Sequence, residues 1–294
     1  MKKNRRFSKG RRQTLISLAT LSAGAILKPT SVLGIENVKN KLRFAVIGDW
    51  GTGCENQFGV ASRMFAAHQA APFDFVLTAG DNIYPSGRAK YFATNFEQPF
   101  SDFIKNKVPF YTTLGNHDVQ KGREDQRNYP LFNMGGRDYY TLSKGDGLAD
   151  FFMLDSTNFT PEQAGWFEKA LAASTAKWKV AVFHHPIYTS GKMHGPELKL
   201  RAALEPLLTR YKVKAVFSGH EHIYERTIPQ NDIQYFITGA GGKYKKNVVN
   251  LKSQVRSVTY DNDNHFMVIE IDDREIRFQA IAETGQEIDS GTIK

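Results

Sequence analysis

Short apolar runs, each closed by Gly or Pro, punctuate this chain. Five of them, at 44–47, 73–77, 108–114, 180–183 and 213–217, are continuous rather than alternating, which predicts buried strands. Between them the period changes. Over 56–70, Phe58, Val60, Ala61, Met64, Phe65 and Ala67 recur at helical spacing, and Pro72 closes the segment. The aromatic stretch 91–105 predicts a helix in two pieces broken at Pro99. Thr160 is a natural N-cap for a helix to 173, with Pro161 at its first position and Gln163 three residues after the cap. A further helix is expected over 196–210. Two strands, 138–142 and 149–154, flank the turn Gly145-Asp146-Gly147. The remainder reads mostly as β, with strands at 233–238, 266–271 and 276–281. The polar segment 119–137 reads as an irregular excursion.

The chemistry is concentrated in the loops at the ends of the five buried strands. These loops read Gly48-Asp49-Trp50-Gly51, Gly80-Asp81-Asn82-Ile83-Tyr84, Gly115-Asn116-His117-Asp118, Phe183-His184-His185-Pro186 and Gly219-His220-Glu221-His222. Ligands of open α/β sheets bind outside the carboxyl ends of the strands. Gly-Asp alone is a common turn pair, and His-x-His alone can be a solvated strand face. Together, five strand ends bearing carboxylates, a phenol, an amide and imidazoles are hard to explain as turn or core chemistry and point to a metal site. Carboxylate and phenolate suit a trivalent ion, while imidazole and carbonyl oxygen suit divalent Zn, Fe or Mn. Mixed donors of this kind point to two metals of different charge, which can clamp a phosphoryl group between them. The loop Gly239-Ala240-Gly241-Gly242 also comes directly after a strand and is placed to approach the site.

Charge changes the picture less than it first promises. The net charge is +9, but residues 1–34 carry eight Lys and Arg and no acids; without them 31 basic residues face 30 acidic ones. A nucleic-acid footprint is therefore not expected. The basic start, the moderately apolar run 15–27 and Val32-Leu33-Gly34 read as an export signal, and Arg11-Arg12 ahead of the run resembles a twin-arginine signal. The expected organisation is a cleaved leader over 1–34, engaging export machinery, and one catalytic domain over 35–294. The product would be periplasmic or secreted with no stable membrane anchor. The single cysteine, Cys54, excludes an intramolecular disulfide and reads as a small residue near a turn.

The five motifs, in this order, resemble the purple acid phosphatases of the calcineurin-like metallophosphoesterase superfamily, of the small single-domain, tartrate-resistant type. The likeness runs through the Gly239 loop and the terminal strands. It implies an α/β four-layer αββα sandwich of two mixed β-sheets flanked by helices. It implies Fe(III) held by Asp49, Tyr84 and His222, a divalent Fe, Zn or Mn held by Asn116, His184 and His220, and Asp81 bridging both. The family's colour arises from phenolate-to-Fe(III) charge transfer. Activity would be hydrolysis of small phosphate monoesters by a metal-held hydroxide, with His117 and His194 contacting substrate or protonating the leaving oxygen. Many relatives read Gly-Asp-x-His and use that His as a ligand; here the position is Gly51, and Tyr84 is available instead. Ala181 stands where a Val is common, and Met193 where the animal enzymes carry Glu, in a loop one residue longer. His184, two before Pro186, is taken as the ligand over His185. A phosphodiesterase, an iron-dependent redox protein and a non-catalytic phosphate or metal binder remain as alternative readings.

Overall fold

The computed structural model describes residues 40–294; the leader expected over 1–34 lies outside the described residues. In chain order the strands are β1 (Leu42–Ile47), β2 (Phe75–Thr78), β3 (Phe110–Thr112), β4 (Tyr140–Lys144), β5 (Ala149–Met153), β6 (Trp178–Val182), β7 (Ala215–Ser218), β8 (Tyr224–Thr227), β9 (Gln234–Thr238), β10 (Arg256–Tyr260), β11 (His265–Ile271), β12 (Ile276–Ala282) and β13 (Glu287–Ile293). The α-helices are α1 (Glu55–Ala70), α2 (Ser101–Lys105), α3 (Arg123–Asn128), α4 (Pro161–Ala173) and α5 (Leu198–Arg210).

These strands form two mixed sheets. One runs β13-β12-β11-β1-β2-β3, with β1, β2 and β3 parallel and the others antiparallel. The other runs β10-β8-β9-β7-β6-β5-β4, with β5, β6, β7 and β9 parallel. Strand alternation decides which layer each side chain enters. In β5, Phe151 faces the other sheet, its ring 5.2 Å from Phe44 and 5.6 Å from Phe75. The next residue, Phe152, faces outward onto Phe167 of α4. Likewise Phe236 of β9 meets Phe278 of β12 across the seam at 4.8 Å. Leu200, Leu204 and Leu208 of α5 join the outer cluster with Ala181 and Val216. Val60 and Met64 of α1 cover the first sheet. Each buried Val, Leu, Phe or Met side chain among these contributes about 1.5–3 kcal/mol. The expected helix–sheet–sheet–helix layering is observed.

Local expectations fare unevenly. Thr160 caps α4, its hydroxyl accepting from Gln163 N at 3.2 Å. Gln163 does not reciprocate; its amide is spent on Asp155, accepting from the backbone N and donating to the carbonyl O. The 91–105 segment is broken near Pro99 as expected, into a π turn at Ala93–Glu97 and α2, behind a 3-10 turn at Ala89–Tyr91. The 119–137 excursion is more ordered than expected: it holds α3 and a 3-10 turn at Pro130–Phe132, both too short to show a period, with Phe132 fully buried. The strand expected at 138–142 starts later, at Tyr140, and β3 is only the centre of 108–114. Strands β8, β10 and β13 had no expectation of their own.

Candidate metal centre

The loops that carry the expected ligands leave β1, β2 and β3 of one sheet and β6 and β7 of the other, and they are stitched backbone to backbone. Asp49 N donates to Gly80 O at 3.0 Å, and Gly219 N to His184 O at 3.0 Å. The expected approach of the Gly239 loop is observed: Gly241 N and Gly242 N donate to Gly48 O and Asp49 O. Such close passage leaves no room for side chains at some positions. A Cβ on Gly51 would strike the Asn82 carbonyl, and one on Gly219 would strike the Asp49 carboxylate. Position 51 thus has no space for an imidazole, and the loop after β2 brings the Tyr84 phenol to Asp49 instead. Asp49, Asp81 and His220 all hold left-handed backbone, with φ of 55°, 50° and 71°. Non-glycine residues there are strained, and such strain clusters at functional sites.

The side chains converge in two groups joined by one carboxylate. Tyr84 Oη donates to Asp81 Oδ2 at 2.8 Å and lies 3.3 Å from Asp49 Oδ1. His222 Nε2 stands 3.5 Å from that same Asp49 oxygen. On the other side His184 Nε2 lies 2.9 Å from Asn116 Oδ1, 3.2 Å from His220 Nδ1 and 3.6 Å from Asp81 Oδ1. Asp81 therefore gives one oxygen to each group. All seven residues expected as ligands are brought together. His117 and His194 flank them: the His117 ring lies 4.5 Å from Tyr84, and the exposed His194 ring stacks on His220 at 4.0 Å. Cys54 is exposed and bonds Thr52 and Gly242, taking no part in the cluster.

The donor set fits cations. His184 Nδ1 donates to Ala79 O at 2.8 Å, so the proton sits on Nδ1 and the Nε2 lone pair faces the other acceptors. Burial holds the His184 imidazole well below its ordinary pKa, helped by His185. Burial and then His184 likewise push His220 down, and burial followed by Lys243 lowers His222 to about 4. Burial and the charge of Asp81 raise the Asp49 carboxyl well above its usual range. Burial, Asp49 and Asp81 do the same to the Tyr84 phenol. Neutral imidazoles with free lone pairs, facing crowded acids that need a positive charge to ionise, are what metal ions hold together.

Several supporting residues carried no expected role. Buried Asp118 accepts from Asn82 N, Ile83 N, Gly115 N and the Gln126 amide, pinning the β2 and β3 loops to each other. Buried Glu221 accepts from Met193 N at 3.2 Å, His194 N at 2.6 Å and Gly195 N at 2.7 Å. Lys243 places its ammonium 3.7 Å over the Tyr84 ring. Asp118 and Glu221 stand inside the ligand motifs, which was their only signal; nothing in the sequence shows which distant N–H groups they serve.

Comparisons with known proteins show the family. Residues 42–224 match the family described as calcineurin-like phosphoesterase. Human tartrate-resistant acid phosphatase type 5 is 28% identical over 84% of this chain and 89% of that protein. Purple acid phosphatase 7 of Arabidopsis thaliana is 30% identical over 69% of this chain and 70% of that protein. Among solved structures, GAP50, titled the anchor in the inner membrane complex of Plasmodium, superposes with a TM-score of 0.76 at 21% identity. It covers 87% of this chain and 89% of its own, a likeness of fold.

Proposed function

Because the chain belongs to the calcineurin-like phosphoesterases and, among them, to the purple acid phosphatases, we propose that it hydrolyses small phosphate monoesters at a dinuclear metal centre built by the seven converging side chains. It is a hydrolase acting on phosphoric ester bonds. The observation that carries the residue assignment is Asp81, whose two carboxylate oxygens face different donor groups.

Asp49, Tyr84 and His222, with Asp81, would hold Fe(III), since carboxylate and phenolate are the hard anionic donors. Asn116, His184 and His220, again with Asp81, would hold a divalent Fe, Zn or Mn. A pair of ions there supplies neutralisation of the phosphoryl charge and activation of water. The chain's own residues orient and protonate. His117 is anchored twice, its backbone N–H donating to Asp81 Oδ1 at 2.9 Å and its ring Nδ1 to Pro85 O at 2.8 Å. That leaves Nε2, in the doubly protonated ring, as the nitrogen that would give a proton to the leaving oxygen and be left with its lone pair. His194 stands on the opposite flank, over His220. The two imidazoles thus stand beside different donor groups, His117 by Tyr84 and His194 by His220. The leader over 1–34, with Arg11-Arg12, is read as a twin-arginine-like signal that sends the protein to the periplasm or outside the cell.

One experiment tests this reading. The purified protein, loaded with iron and oxidised, is assayed on an aryl monoester and a bis-aryl diester, and its visible spectrum is recorded beside Tyr84→Phe and Asn116→Ala. Expected are faster monoester turnover, a broad visible band lost in Tyr84→Phe, and loss of turnover in Asn116→Ala. A faster diester overturns the substrate assignment. A colourless, iron-loaded, active parent overturns the Tyr84–Fe(III) assignment, and full activity in Asn116→Ala overturns the divalent site.

A further inference from the structure

His185 lies beside the donor cluster, with a ring nitrogen within 4.8 Å of ring nitrogens of His184 and His220, and the proposed function assigns it no part in holding the metals or in proton transfer. Its ring packs edge-on against His220 at 4.5 Å and His184 at 4.9 Å. It also forms one wall of a cavity of about 330 Å³ shared with Ser156, Thr157, Phe159, Glu197 and Lys199. One imidazole therefore stands between the phosphoryl-binding region and this cavity.

The hydrogen bonds around His185 define what it offers. Ser156 Oγ accepts from His184 N at 3.1 Å and His185 N at 3.0 Å, which uses both of its lone pairs. Its own hydrogen then goes to His185 Nδ1, 2.9 Å away. In the neutral ring the proton is accordingly on Nε2, making His185 a donor rather than a ligand. The cavity floor is fixed in advance: Arg123 donates to the Thr157 hydroxyl at 2.9 Å and to Asp155 at 2.7 Å, and Thr157 donates to Asp155 at 2.6 Å. Preformed, largely rigid walls are the rule for small-molecule sites.

The lining defines the occupant. One acid and one base, Glu197 and Lys199, cancel, so neither an additional anion nor a cation is favoured. Ser156 and Thr157 offer hydroxyls and Phe159 an aromatic ring. The volume sits at the low end of the roughly 300–1,000 Å³ range of ligand pockets, the scale of a small molecule and not of a protein segment. Resting on the phosphatase reading, we propose that this cavity receives the leaving group of a neutral polyol or monosaccharide monophosphate, with His185 at its junction with the metal centre.

The test uses the metal-loaded protein and Ala203→Trp, which fills the cavity from an exposed position on α5. Michaelis constants are measured for a hexose monophosphate and for methyl phosphate, whose leaving group is too short to enter. The expected result is that the variant raises KM for the hexose monophosphate relative to methyl phosphate by about tenfold or more. An unchanged ratio overturns the subsite. Independently of turnover, saturation transfer by NMR from the protein to the free hexose is expected in the parent and absent in the variant; no transfer in the parent also overturns the subsite. A parent that hydrolyses neither ester defeats the phosphatase reading instead, and the NMR result then decides the cavity by itself.

Discussion

At the scale of single residues, the proposed ligands are held in place by carboxylates outside the proposed set. Glu221 shows this most directly. It sits between His220 and His222 in sequence, yet its oxygens are spent on three backbone N–H groups of the loop that carries His194. Removing it leaves those donors unpaired, which costs about 1–3 kcal/mol each where they are buried, and frees His194 to shift. Glu221→Ala is expected to lower kcat/KM by about 10- to 100-fold, the usual cost of misplacing a reacting group by an ångström or so. Glu221→Gln keeps one acceptor oxygen and should recover most of the loss. Metal content measured alongside separates loop positioning from damage to the adjacent ligands. Equal activity in Glu221→Ala and the parent would contradict the positioning role. The convergence of the seven residues was legible because their loops follow strands that end at a glycine or proline and carry chemically unusual groups. The roles of Asp118, Glu221 and Ser156 were not, because they are set by hydrogen bonds to loops far away in sequence, which no periodicity records.

At the scale of elements, segments with a continuous apolar run or a full helical period were readable, and those of mixed polarity were not. Helices α1, α4 and α5 have enough residues to show a helical period, and the five buried strands, though as short as three residues in β3, lie in continuous apolar runs closed by Gly or Pro. In β8 the fully buried Glu225 breaks the apolar pattern, its charge met by Thr189 and Ser190. β10 and β13, at the sheet edges, are half-exposed and lack a continuous apolar face. Strand β11 was readable from 266 onward, but its first residue hides a liability. His265 is fully buried with no hydrogen-bond partner on either ring nitrogen, while its backbone N donates to Ala240 O of the loop seated on Asp49. Burial lowers its pKa to about 3. The unfolded chain takes up this proton below about pH 6.5 and the folded chain does not, so stability falls as pH drops from 6.5 toward 3. The slope is about 1.4 kcal/mol per pH unit, or about 2 kcal/mol lost by pH 5. Denaturant unfolding of metal-stripped protein at pH 7 and pH 5 should show this loss in the parent, and a loss smaller by about 2 kcal/mol in His265→Leu. Identical pH dependence in the two proteins would contradict it.

At the scale of the whole molecule, the two sheets meet along a seam, and the site sits over the ends of strands from both. The group built on Asp49 and Tyr84 takes His222 from beyond β7, in the second sheet. The group built on His184 and His220 takes Asn116 and Asp81 from the first. Each ion would therefore tie one sheet to the other, and Asp81 would tie the ions to each other. The layered fold was legible from strand spacing and the family resemblance. The crossing of ligands between sheets was not, since sequence order does not say which strands share a sheet. No helix among the described residues is long and apolar enough to cross a membrane. The most direct measurement of this arrangement is the metal content per chain, by mass spectrometry of the reconstituted protein, beside His184→Ala. Two ions in the parent and one in the variant are predicted. A single ion in the parent, or no loss in the variant, would contradict a centre in which one carboxylate serves two metal sites.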